Sequence, residues 1–248
     1  MAKLGVLGAT GRMGQAILGL LPSCQEWELW AAVARNPAPG VHGATGMTSL
    51  LGCDVVVDFS RPQATLDALE ILLPAGIPLV VGTTGFSDEE KQKLLNASQS
   101  LPLLMAPNTS LGANVLFALA KRAARALSDF DAEIFEVHHR HKKDAPSGTA
   151  LFLAQAVAEG RGQAPAGAIR QSGAREKEGV GFAVLRGGDG AGEHTVFFLG
   201  NGERLEITHR VHHRQVFASG ALAAARYLLG RPPGAYTMAD ALGLAEDR

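Results

Sequence analysis

A glycine-spaced turn between a short apolar run and a helix constrains this chain more than any other feature. Lys3–Leu7 is apolar and leads into Gly8-Ala-Thr-Gly11-Arg-Met-Gly14, after which Gln15–Leu21 has helical composition. Glycines at this spacing let a backbone turn tightly and approach a pyrophosphate, whose charge the following helix N-terminus attracts. The same spacing also occurs in plain turns. The pattern is G-x-x-G-x-x-G, with Thr10 where the commoner dinucleotide fingerprint has its middle glycine.

The segments that follow continue the alternation a parallel sheet requires. Trp27–Val33, Asp54–Phe59, Ile77–Val81 and Leu101–Met105 read as strands, the second apolar enough to be buried on both faces. Thr65–Leu73 reads as a helix with Pro62 in its first turn, and Ser87-Asp-Glu-Glu90 opens another as a capping box. Beyond Asn108 the pattern changes. Asn114–Leu127 and Gly148–Glu159 read as helices and Ala132–His138 as an alternating strand. Val180–Arg186, His194–Leu199 and Arg204–Val211 read as consecutive antiparallel strands, then come a helix over Gly220–Leu229 and a polar tail. The expected fold class is α/β: an N-terminal Rossmann-like, doubly wound parallel sheet, then a C-terminal α+β domain with a mixed or antiparallel sheet.

Composition excludes several classes. Lys plus Arg is 23 against 24 for Asp plus Glu, without the excess of positive charge that a nucleic-acid binder needs for phosphates. Every apolar run is interrupted before the length of a membrane helix, and residues 1–8 are too short for a secretory core, so a cytoplasmic protein is expected. Cys24 and Cys53 give no disulfide framework.

The nucleotide that the glycine turn would hold is read from the second strand. An NAD-preferring site places Asp or Glu about 20 residues on; here the strand ends Ala31-Ala-Val-Ala34-Arg35 with no carboxylate. Arg35, assisted by Arg12, suits a 2′-phosphate, so NADPH is expected with NADH as the alternative; Arg35 is otherwise an ordinary solvated arginine.

Six of the eight histidines fall in two stretches, His138, His139 and His141, then His209, His212 and His213. If the chain stays extended beyond His138, period-two geometry puts His138, Arg140 and Lys142 on one side and His139, His141 and Lys143 on the other. Pro146-Ser-Gly-Thr149 then starts a helix, so Ser147, Gly148 and Thr149 offer amides and hydroxyls to an anion beside these cations. Of only seven lysines, two are adjacent here, and a lysine among cations can serve as an acid near neutrality. A metal site on His139 and His141, completed from His209–His213, is the competing reading, weakened by the neighbouring lysines; no metal is expected.

Glu133 to Ala150 resembles the signature of the 4-hydroxy-tetrahydrodipicolinate reductase (dihydrodipicolinate reductase) family, E-I-x-E-x-H-x-x-x-K-x-D-x-P-S-G-T-A. The glycine turn, Asp58-Phe-Ser-Arg-Pro62, Gly82-Thr-Thr-Gly-Phe86, Ala106-Pro-Asn-Thr109, Gly192-Glu-His-Thr195 and Glu203–His209 are similar to that family as well. The resemblance implies hydride transfer from NADPH or NADH to a cyclic unsaturated dicarboxylate, giving tetrahydrodipicolinate in the diaminopimelate route to lysine. It implies that Gly8, Ala9, Thr10, Gly11, Arg12 and Met13 hold the pyrophosphate. Gly82, Thr83 and Thr84, with Ala106, Pro107, Asn108 and Thr109, would flank the nicotinamide ribose and ring. His138 and Lys142 would be catalytic, and His139, Lys142, Ser147, Gly148 and Thr149 would bind substrate. It also implies a dinucleotide-binding domain over 1–107 completed by 217–248, a substrate-binding domain over 108–216, and a homotetramer formed through the latter. Where relatives that use NADH well have an acidic residue after the second strand, this chain has Ala34. A reductase of another small acid and a non-catalytic dinucleotide sensor are the alternatives.

Overall fold

Short β-branched and leucine-rich runs, each followed by a helix, build the first of two sheets in the computed structural model, which describes residues 1–35, 46–163, 167–169 and 179–245. The strands of this sheet are β1 (Ala2–Leu7), β2 (Trp27–Val33), β3 (Val55–Asp58), β4 (Leu79–Val81), β5 (Pro102–Met105) and β11 (Gly234–Tyr236). All pair in parallel, in the order β11-β5-β4-β3-β1-β2. The helices are α1 (Arg12–Leu20), α2 (Pro62–Ala75), α3 (Asp88–Ala97), α6 (Gln215–Leu228) and α7 (Met238–Ala241). One apolar core joins the sheet to α1 and α6 through Leu4, Val6, Ile17, Val57, Ala221 and Leu228. A second, on the opposite face, joins it to α2 and α3 through Val56, Leu69, Leu72, Leu79 and Leu94. Helices therefore cover both faces, as a buried parallel sheet demands. The strand order reverses between β1 and β3, and ligands of such sheets bind at the carboxyl ends of the strands at that point.

The second sheet has the order β10-β9-β6-β8-β7, with β6 (Asp131–His138), β7 (Gly167–Ile169), β8 (Val180–Arg186), β9 (Gly192–Leu199) and β10 (Arg204–Val211). Two helices, α4 (Leu111–Ala126) and α5 (Gly148–Gly160), pack on one face around Leu116, Ile134, Leu153, Phe182, Val196 and Phe198. By contact the chain divides into a first unit, 1–111 with 215–248, and a second, 112–214. Among the described residues no helix is long and apolar enough to cross a membrane.

Three expectations are corrected. β8 and β9 are consecutive but not paired: β6 lies between them, parallel to β8 and antiparallel to β9. The polar tail contains β11, which extends the first sheet beyond β5, and α7, capped by Thr237. The chain also leaves extended geometry at His138. Loop 187–190 catches the backbone there: Gly187 N–H donates to His138 O (3.0 Å), and His139 N–H to Gly190 O (3.0 Å). A turn follows, with Lys142 N–H on His139 O at 3.1 Å. Period-two sidedness therefore ends at His138, which is buried, whereas Arg140 is exposed and Lys142 half-buried.

Candidate active site

The glycine turn sits where the strand order reverses. Gly8 has φ +84°, and a Cβ there would lie 2.4 Å from Phe59 O, on the loop after β3. Gly14, inside the first turn of α1, passes so close that a Cβ would lie 2.3 Å from Gly8 O. Side chains at either position would force apart the β1–α1 turn and its neighbour. Gly8 and Ala9 amides donate to Val33 O (2.9 and 3.1 Å), which ties the turn to the end of β2, beside exposed Arg35. The first-turn amides of α1, from Arg12 to Gly14, are ones a helix leaves without an internal partner. The N-cap, Gly11, has no side chain to take them. This cradle of glycines and amides fits a pyrophosphate.

Asp58, fully buried at the end of β3, organises the adjoining loops. Its carboxylate accepts from Ser60 N–H (2.9 Å) and from the hydroxyls of Ser60 (2.5 Å), Thr65 (2.5 Å) and Thr83 (2.9 Å). Ser60 N–H also reaches Thr83 Oγ1 at 2.9 Å, so one carboxylate joins the loops after β3 and β4. Burial pushes the Asp58 carboxyl up from its ordinary value, against the hydrogen bonds from Ser60, Thr65 and Thr83. Gly82 packs on the Phe59 ring and Thr84 is exposed. Ala106 is buried, Pro107 exposed and Asn108 half-buried, while the buried Thr109 commits its hydroxyl to Phe217 O (2.7 Å).

In the second unit, β6 carries Glu136 and His138 on its inner face, and His194 lies opposite Glu136 on β9. Glu136 is fully buried and accepts from Arg186 Nη2 (2.8 Å) and from Ser147 N–H (3.1 Å to Oε2). His194 Nε2 is 3.5 Å from Glu136 Oε2 and 3.0 Å from Ser147 Oγ, and its ring stands edge-on to His138 at 5.0 Å. Burial alone would raise the Glu136 pKa, but hydrogen bonds from His194, Ser147 and Arg186 hold it well below the usual carboxylate range. Ser147 caps α5, its Oγ accepting from Ala150 N–H at 3.2 Å, and Gly148 is exposed at the helix start beside half-buried Thr149. Lys142 Nζ pairs with Asp144 at 2.7 Å, holding the Asp144 carboxyl below its ordinary value.

His138 is only 6% exposed. Its pKa is lowered to about 4, chiefly by burial and then by the charge of His194, with Glu136 opposing. The ring is therefore neutral near pH 7, and an unfolded chain takes up the proton first as pH falls. Stability should consequently be full above about pH 6.5 and decline towards pH 4, by on the order of 2–3 kcal/mol from His138. Half-buried His209, also lowered, adds to the same slope. Urea midpoints measured across that window should fall less steeply in His138→Gln than in the wild type.

The sequence names His138, Lys142 and the α5 start as candidates but gives no role to Glu136, Arg186, His194 or Asp58. Two signals were available. Glu136 shares the inner face of a strand with His138, and Asp58 ends a fully apolar strand. The described His and acidic residues that could together hold a cation are Glu136, His138 and His194 rather than the pair His139 and His141. The Arg186 guanidinium on the same carboxylate opposes a metal there.

Comparison with known proteins agrees with this geometry. Residues 2–109 match the family described as dihydrodipicolinate reductase, N-terminus, and residues 112–242 match dihydrodipicolinate reductase, C-terminus. A 4-hydroxy-tetrahydrodipicolinate reductase from Anaeromyxobacter dehalogenans is 43% identical, covering 98% of each chain. One from Nitrosomonas europaea is 44% identical with the same coverage. Among solved structures, a dipicolinate-bound dihydrodipicolinate reductase from Paenisporosarcina sp. TG-14 superposes with TM-score 0.81 at 26% identity, over 96% of this chain and 97% of that one. A scyllo-inositol dehydrogenase from Lactobacillus casei (TM-score 0.61, 15% identity, over 98% of this chain and 93% of that one) shares the fold. On sequence and structure alike, this chain belongs to the dihydrodipicolinate reductase family.

Proposed function

We propose that this reductase converts 4-hydroxy-tetrahydrodipicolinate to tetrahydrodipicolinate, the 4-hydroxyl leaving as water to give the conjugated ring that is reduced, in the diaminopimelate route to lysine, with its first unit holding NAD(P)H and its second holding the dicarboxylate. The observation that carries the reading is the second unit's combination of Lys142, neutral His138 and the exposed start of α5. A dicarboxylate needs cations and helix amides, and its reduction needs a proton source beside them. When bound, the reduced nicotinamide supplies hydride to the ring carbon remote from nitrogen. His139, Lys142, Gly148 and Thr149 bind the substrate carboxylates, and Ser147 shapes the turn that presents them. The enamine-like carbanion takes its proton from Lys142 or His138. The cofactor is held by Gly8–Met13, by Gly82–Thr84 and by Ala106–Thr109, where the buried Thr109 contributes backbone. The similarity of the dipicolinate-bound relative supports a planar dicarboxylate as ligand.

Arg35, exposed at the tip of β2 with no carboxylate beside it in sequence, favours NADPH. Arg35→Ala should weaken NADPH binding about tenfold and NADH little; an equal effect on both removes this account. The homotetramer is assigned to the face of the second sheet turned away from α4 and α5. Phe135, Val137 and Phe197 are half-buried there, and Leu185 is 54% exposed. A cytoplasmic location accords with a small-molecule reductase of this kind. The deciding experiment follows nicotinamide absorbance when purified protein meets substrate freshly made by the preceding synthase. Oxidation of NADPH supports the assignment; binding of a cofactor without oxidation of either overturns it.

A further inference from the structure

The Nδ1 atom of His138 is buried and has no hydrogen-bond partner among the described residues. It faces Glu136 Oε2 at 3.8 Å, too long for a hydrogen bond and short enough for the carboxylate's charge to decide what the nitrogen carries. An ionised carboxylate has only acceptor oxygens. A lone pair on Nδ1 would point at that charge with nothing between them, whereas an N–H would point its positive end at it. Glu136 itself has little freedom to turn away, because Arg186 holds Oε1 at 2.8 Å and Ser147 N–H spans both oxygens at 3.1–3.2 Å.

We propose that Glu136 is a positioning residue that fixes His138 as the Nδ1–H tautomer, leaving Nε2 as a proton acceptor. The other charged groups acting on the ring, His194, Lys142 and Arg186, all disfavour a second proton, and Glu136 alone opposes them. This rests on the reductase reading above and deepens it. A neutral ring with its one proton turned toward Glu136 cannot donate from Nε2. The proton that completes the reduction therefore leaves Lys142 Nζ: the ammonium N–H bond breaks, a C–H bond forms at the carbanion, and Lys142 becomes a neutral amine. His138 Nε2 acts as an acceptor that orients the donor or the substrate. Arg186 and His194 take part through Glu136.

The test is tautomer-sensitive NMR on the full chain with ¹⁵N-labelled histidine at pH 7.5, the His138 signals being identified by their loss in His138→Gln. Nδ1 is expected protonated and Nε2 unprotonated; the reverse overturns the proposal. In Glu136→Gln, whose amide can present either an oxygen or an N–H to the ring, the preference should be lost. kcat should fall about 10- to 100-fold while the Kd of NADPH stays within twofold. Glu136→Asp, which keeps the charge, should recover part of both. A Gln variant with reduced kcat and an unchanged tautomer would assign Glu136 a purely structural role and end the proposal. Should the Gln variant not fold, the wild-type tautomer still decides, since no other described group pairs with Nδ1. Failure of the reductase reading shows separately, as absent turnover in the wild type.

Discussion

Lys142→Ala should lower kcat by about 10²–10⁴-fold, the range for removing a general acid, and leave the Kd of NADPH within twofold. The lysine belongs to the second unit and the glycine turn to the first, which makes NADPH affinity the control measurement. In the proposed reaction two roles are combined in this side chain: a cation for a substrate carboxylate and a proton for the reduced ring. Lys142→Arg separates them. Arginine keeps the charge, and so the KM for the dicarboxylate, but its guanidinium does not give up a proton in the accessible pH range. Its kcat should stay as low as that of the Ala variant. A Lys142→Arg enzyme with wild-type turnover would show that charge alone suffices and that another group delivers the proton.

Asp58→Ala should be the most damaging single change in the first unit. Truncation leaves one amide and three hydroxyls without their acceptor, the Thr65 and Thr83 hydroxyls in buried contacts and the Ser60 groups in half-buried ones. Each unsatisfied group costs about 1–3 kcal/mol, but the Thr65 hydroxyl can fall back on Arg61 O at 3.2 Å and Ser60 N–H keeps Thr83 Oγ1. A net loss of about 2–4 kcal/mol follows, which at about 2–4 °C per kcal/mol for a unit of this size lowers Tm by about 5–15 °C. Because the same carboxylate joins the loops after β3 and β4, NADPH binding should weaken at least about tenfold. Asp58→Asn, which keeps one acceptor oxygen, should fall between. Calorimetry and fluorescence titration of the three proteins check both quantities; an Asn variant as impaired as Ala would mean that the charge matters more than the hydrogen bonds.

Much of this arrangement was legible in the chain because it depends on local chemistry. The capping box at Ser87 forms as read, with Ser87 Oγ accepting from Glu90 N–H at 3.2 Å and Ser87 N–H donating to Glu90 at 2.7 Å. β2, β8 and β10 have the boundaries their alternation predicts. α1 begins three residues before its apolar composition suggests, because Gly14 lies within the helix and packs against the glycine turn. What was not legible depends on partners distant in sequence. β11 is three residues, Gly-Ala-Tyr, preceded by two prolines, and only its pairing with β5 makes it a strand. The turn at 139–143 exists because a glycine loop some fifty residues later takes up the backbone hydrogen bonds of His138 and His139. The role of Glu136 likewise needs Arg186, Ser147 and His194, which three different elements bring to one carboxylate.

The last of the long helices has a consequence for how the protein is made. α6 supplies Ala218, Ala221, Leu222, Ala224, Ala225 and Leu228 to the core beneath the first sheet, yet it is translated after the whole of 112–214. Until it emerges, the nascent first unit presents a bare apolar face, while 112–214 already has its described strands and helices. The usual amino-to-carboxyl order of domain folding is thereby inverted: the later-encoded unit can complete itself first, and the unit begun first must wait for the helix that follows it.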